Sequence, residues 1–68
     1  MNDYLVKKLH KQLSAIQKEM EHYTKMLSKA KSEDAAIIYY GEMKYWRGQA
    51  EATGAAISMI QELCLIHI

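Results

Sequence analysis

The stretch AKSEDAA, residues 30–36, decides how this chain folds. Ser32 can accept a hydrogen bond from the free amides of a first helical turn, and Glu33 and Asp34 stand where the helix dipole favours negative charge. These signals predict a tight turn at residues 30–32 that joins two antiparallel helices. Because the stretch contains neither glycine nor proline, one uninterrupted helix remains the alternative.

Upstream of this stretch, apolar residues recur at alternating spacings of three and four. This spacing is the heptad pattern of a helix that packs along one face, and it predicts a first helix over about residues 3–30. The stripe consists of Val6, Leu9, Leu13, Ile16, Met20, Tyr23, Leu27 and Ala30.

Downstream, the same spacing predicts a second helix over about residues 33–65, with a stripe that faces the first helix. This second stripe consists of Ala36, Tyr39, Met43, Trp46, Ala50, Thr53, Ile57, Ile60 and Cys64. The sequence therefore predicts an all-α protein with a single domain, 1–68, built as a helical hairpin.

The second helix also carries apolar and small residues away from this stripe. A hairpin can cover only one of the two faces, so we expect a second copy of the chain to cover the other. Glycine at Gly41 and Gly48 lowers helix propensity, and close packing of two helix backbones would offset that loss. The pattern thus predicts a homodimer, arranged as a four-helix bundle. The predicted dimer interface comprises Gly41, Tyr45, Gly48, Ala52, Ala55, Met59 and Ile66.

Aromatic and arginine side chains lie between the two faces of the second helix. Tyr40 and Arg47 share one heptad position, and Trp46 adjoins them. Partly exposed aromatic and arginine residues are typical of binding hot spots, so we expect these three to contact a partner protein. The alternative is an aromatic platform packed under an arginine, without a binding role.

The net charge is only +1, but the charge is unevenly distributed. Residues 1–31 have a balance of +4 and residues 32–68 a balance of −3. The basic half could be a solvated face, or it could follow a nucleic-acid backbone. The lysines predicted to carry this alternative function are Lys7, Lys11, Lys18 and Lys25. A structural element of a larger assembly is a further alternative.

No arrangement of residues predicts catalysis, a metal or a cofactor. Glu19 and His22 have the spacing of a di-metal helix but fall outside the inward stripe. Cys64 and His67 form one pair, where a zinc site needs four ligands. We therefore expect a protein that is not an enzyme, with no catalytic residues and no cofactor.

One cysteine, no signal-peptide pattern and no long apolar run predict a cytoplasmic protein without membrane contact. The segment YWRGQAEA, residues 45–52, resembles segments of small helical proteins encoded by bacteriophages and mobile elements. This resemblance implies binding to a host or phage protein. The sequence as a whole favours a small protein–protein interaction module that acts as a regulator or inhibitor.

Overall fold

The computed structural model describes the backbone of residues 2–66 and the side chains of residues 3–63. It contains two α-helices, α1 (Asn2–Ser28) and α2 (Glu33–Ile66), packed against each other as a hairpin. The predicted all-α hairpin is therefore confirmed, and the alternative of one uninterrupted helix is wrong.

The first helix ends two residues earlier than its apolar stripe predicted, at Ser28. Its last turn tightens, because the Lys29 amide donates to the carbonyls of both Lys25 and Met26 at 3.2 Å. The Ala30 amide donates to the Leu27 carbonyl, also at 3.2 Å. Bonds to the third residue back satisfy carbonyls that a helix end would otherwise leave free.

The second helix begins with the predicted cap at Ser32. The Ser32 hydroxyl oxygen accepts a hydrogen bond from the Ala35 amide at 3.1 Å, and the Ser32 carbonyl accepts one from Ala36 at 3.0 Å. No residue in the described part of the chain has a positive φ. The chain therefore reverses through ordinary backbone conformations, which explains why this turn needs no glycine.

The two stripes face each other along the hairpin. Every stripe member whose side chain is described is buried or half-buried. The Tyr23 and Tyr39 rings meet across the interface, with centroids 6.4 Å apart. Moving one heptad away from the turn on both helices places Ile16 at the level of Trp46.

The core of this hairpin is thin. Ile16, Thr53 and Ile57 are the only buried residues among the described side chains, at 5%, 6% and 6% exposure. The molecule measures 54 × 15 × 12 Å, so each helix has one neighbour and a broad surface in solvent. Because α2 has 34 residues and α1 has 27, the end of α2 extends beyond the start of α1.

Candidate protein-binding face

The side of α2 that points away from α1 is apolar and exposed. Ile38, Tyr45 and Met59 are 63%, 57% and 63% exposed, at spacings of one and two heptads. Between them lie four exposed small residues, which are Gly41, Gly48, Ala52 and Ala55. We call these seven residues the outer face of α2. All predicted interface residues except Ile66 belong to it, and the Ile66 side chain lies outside the described side chains.

The glycines of the outer face have no packing partner in the hairpin. A Cβ atom built at Gly41 or Gly48 would meet no atom within 4 Å apart from its own helix backbone. Each glycine lowers helix propensity by about 1 kcal/mol relative to alanine. Nothing within the described hairpin offsets this cost at either position.

A shallow groove lies along one edge of the outer face, beside Gly48. It is lined by the side chains of Lys44, Arg47 and Glu51 and by Gly48. The Arg47 Nε lies 4.0 Å from the Glu51 Oε1, and both side chains are mostly exposed. An exposed pair of this length contributes little to stability, so both charges remain available for other contacts.

The three predicted partner-binding residues do not form one surface. Tyr40 is 50% exposed and Arg47 is exposed one heptad further along, on the same edge of α2. Trp46 is half-buried in the inward stripe, and its ring contacts Tyr45 edge-on at 5.1 Å. Only Tyr40 and Arg47 are therefore placed to meet a partner without rearrangement.

The indole Nε1 of Trp46 is buried and has no hydrogen-bond partner among the described residues. A buried N–H without a partner costs about 1–3 kcal/mol. The spacing of the stripe placed Trp46 inward but gave no information on this atom, because the ring orientation depends on packing against α1. The ring thus contributes to the hairpin mainly through its apolar surface.

Two residues at this site were missed by the sequence analysis. Lys44 places its ammonium 5.8 Å from the centre of the Tyr40 ring and also forms a wall of the groove. Ile37 is 69% exposed and extends the apolar surface beside Ile38. The spacing of four between Tyr40 and Lys44 could have indicated the first, because such residues are neighbours on a helix surface.

The lysines of the alternative function lie on the side of α1 opposite its stripe. Lys7, Lys11, Lys18 and Lys25 are all exposed. In the described part of the chain the one ion pair joins Arg47 and Glu51, so these lysines carry no acidic partner there. The last three repeat at heptad spacing, about 10.5 Å at a rise of 1.5 Å per residue.

The candidate metal ligands are not brought together. Glu19 and His22 are exposed on α1. Among the described residues, no three histidine, cysteine, aspartate or glutamate side chains lie close enough to hold a metal ion. The pair formed by Cys64 and His67 lies outside the described side chains, so it remains untested.

The chain matches no protein-family model, and neither the curated proteins nor the solved structures contain a significant match to it. Neither described helix is both long and apolar enough to cross a membrane.

Proposed function

We propose that this protein is a protein–protein interaction module that self-associates through the outer face of α2 and regulates or inhibits a partner protein. The observation that supports this function is the continuous apolar surface on the outer face. Isolated exposed apolar residues are common, but a row along one helix marks an interaction surface. The row runs along most of α2, from Ile38 to Met59.

The total surface area supports self-association. The accessible surface is 5613 Å². A monomeric globular protein of 7.9 kDa is expected to expose about 4400 Å². The excess of about 1200 Å² is comparable with the roughly 800 Å² that each partner buries in a standard interface. A second copy is the simplest partner that would also enlarge the thin core.

The geometry of α2 favours a particular form of the four-helix dimer. The inward stripe and the outer face lie on nearly opposite sides of this helix. A dimer through the outer face would therefore align four helices in a layer, with the two copies of α2 inside and the two copies of α1 outside. Tyr40 and Arg47 would stay exposed on a broad side of this layer, where a partner protein could reach them.

Light scattering after size-exclusion chromatography tests the self-association. We expect the mass of two chains at micromolar concentration. Gly48→Leu should return the mass to one chain, because leucine would fill the groove while the single hairpin offers space for it. The circular dichroism of this variant should remain helical, and the parallel change Ala15→Leu, at an exposed position on α1, serves as the control. A wild-type monomer would refute the proposed assembly.

The exposed lysine row of α1 supports a second candidate function, which is binding of nucleic acid. The test is fluorescence anisotropy with a labelled DNA duplex at low salt. Binding that weakens steeply with salt and disappears when Lys11, Lys18 and Lys25 are changed to glutamate would favour this function. No change in anisotropy at tens of micromolar protein would exclude nucleic-acid binding as a function.

A further inference from the structure

We propose that the two copies of α2 pair antiparallel, with Tyr45 of each copy seated over Gly48 of the other. This inference rests on the proposed self-association, and it specifies the direction and register of the contact. Three observations on the outer face carry it. They are the arrangement of large and small residues, the charges along one edge, and the groove at Gly48.

Large and small residues occupy separate rows of the outer face. One row holds Ile38, Tyr45 and Met59, with only Ala52 between them. The adjacent row, shifted by three residues, holds Gly41, Gly48 and Ala55. Two parallel copies would stack each row on itself, so that tyrosine meets tyrosine and glycine meets glycine. Antiparallel copies place Ile38 and Tyr45 over small residues, which is the arrangement that fills space in interlocking helices.

In the proposed register, three kinds of layer alternate along the contact. Tyr45 lies over Gly48 of the second copy, and Ile38 lies over its Ala55. Ala52 lies over Gly41, where two small residues let the backbones approach closely. The two-fold axis crosses the contact at the level of Trp46 and Arg47 along the helix, so every layer occurs twice, once on each side of the axis.

Charges on one edge of the outer face favour this register over the two registers that are shifted by one heptad. Lys44 and Glu51 lie a heptad apart on the same edge of α2. When two copies of α2 pair antiparallel, this edge of one copy lies beside the same edge of the other. With Tyr45 over Gly48, each Lys44 lies beside Glu51 of the other copy. A shift of one heptad in one direction sets Glu51 against Glu51. The opposite shift sets Lys44 against Lys44. Only the proposed register avoids like charges on this edge and pairs opposite ones.

The groove at Gly48 provides the space that this arrangement needs. Apart from its chain neighbours and its own helix backbone, no atom lies within 4 Å of a Cβ built at the glycine, and Lys44 and Glu51 are two of the walls of the groove. An aromatic ring from a second copy can rest on the bare backbone between these walls. Lys44 then lies beside Glu51 of the second copy, and Glu51 lies beside its Lys44. The groove at Gly48 thus accommodates the tyrosine ring, and its lining side chains form both ion pairs.

Charge reversal tests the register. Lys44→Glu and Glu51→Lys, each alone, should raise the dimer Kd about tenfold, because two opposite pairs become two like pairs. The double variant, Lys44→Glu with Glu51→Lys, should restore the dimer. Lys25→Glu, an exposed charge reversal on α1, is the matched control and should leave the Kd unchanged. Sedimentation velocity over a concentration series measures the Kd of the wild type and of the four variants.

A distance measurement tests the same register without altering the charges. Spin labels at Ser58→Cys, in a chain with Cys64→Ser, should lie about 35 Å apart along the helix axes at 1.5 Å rise per residue. A register shifted by one heptad would change this distance by about 10 Å, and parallel helices would bring the labels to within about 10–15 Å. The unlabelled Cys64→Ser chain must keep the wild-type mass.

The outcomes separate the register from the self-association. A dimer whose Kd is unchanged by both charge reversals, or whose labels lie at one of the other distances, overturns the register. It does not contradict the proposed self-association. A wild-type chain that stays monomeric overturns both. A restored double variant together with the 35 Å distance supports the antiparallel contact as proposed.

Discussion

Two glycines of α2 lie on different sides of the helix. Gly48 belongs to the outer face, whereas Gly54 lies on another side of the helix, and a Cβ atom at either position meets no neighbour in the hairpin. Within a single chain, alanine should therefore be accommodated equally well at both positions. A difference in stability between the two alanine variants must therefore come from contact with a second molecule.

We expect Gly54→Ala to raise the free energy of unfolding by about 1 kcal/mol at all protein concentrations, because alanine favours the helix. Gly48→Ala should give the same gain in dilute protein and lose it in concentrated protein, where its methyl group would displace the tyrosine above it. Urea denaturation at two protein concentrations measures both effects. Equal gains for both variants at both concentrations would exclude a close contact at Gly48.

The Ser32 cap is the second residue whose contribution is clearly defined. Its hydroxyl oxygen satisfies the Ala35 amide at the exposed start of α2. Ser32→Ala should lower the free energy of unfolding by about 1 kcal/mol, the usual effect of removing such a cap. Ser14→Ala, at an exposed position within α1, should change it by less than about 0.5 kcal/mol. Thermal and urea denaturation of both variants check this expectation.

The packing of α1 on α2 depends on few residues. Ile16 is 5% exposed, and it is one of only three buried residues among the described side chains. Ile16→Ala should lower the free energy of unfolding by about 2–5 kcal/mol, which is a large part of the stability of so small a domain. Ile37→Ala, at a position 69% exposed, is the matched control and should cost less than about 0.5 kcal/mol in dilute protein. Similar losses in the two variants would mean that the packed interface lies elsewhere.

The sequence predicted the two helices and their inward stripes because these follow from spacing alone. It placed the end of α1 at Ala30, where the stripe ends, rather than at Ser28. The stripe records which side chains face the partner helix, and Ala30 remains half-buried although it lies beyond the last helical residue. Helix ends are set instead by local hydrogen bonds, and the cap at Ser32 requires non-helical residues before it.

The candidate site was less predictable than the fold. Spacing located the exposed outer face and placed Trp46 in the inward stripe, but the hot-spot interpretation grouped Trp46 with Tyr40 and Arg47. The structure separates them, because Trp46 turns toward α1 while the other two remain exposed. Spacing makes Lys44 a neighbour of Tyr40, but neither the isolated indole N–H nor the placement of the ammonium over the ring follows from it. Both depend on side-chain rotamers, which neighbouring residues select after the helices have packed.

The whole molecule has a large surface for its mass, and this affects its thermal stability. If folding and association are coupled, the melting temperature depends on protein concentration. We expect the wild-type Tm to rise between micromolar and submillimolar protein, and the Tm of Gly48→Leu to remain constant. Differential scanning calorimetry over this range measures both. A constant wild-type Tm would indicate that each hairpin is stable by itself.

The turn between the helices has a consequence for how chains exchange parts. No residue of the turn, 29–32, has a positive φ, so the reversal depends on hydrogen bonds and packing and not on a residue that favours the left-handed region. The hairpin is then maintained by the Ser32 cap and by packing between the stripes, and that packing is identical if α1 comes from another chain. Weakening the cap should therefore favour domain swapping, in which two straightened chains exchange their first helices. Chains with Ser32→Ala are where such swapped dimers should first be sought.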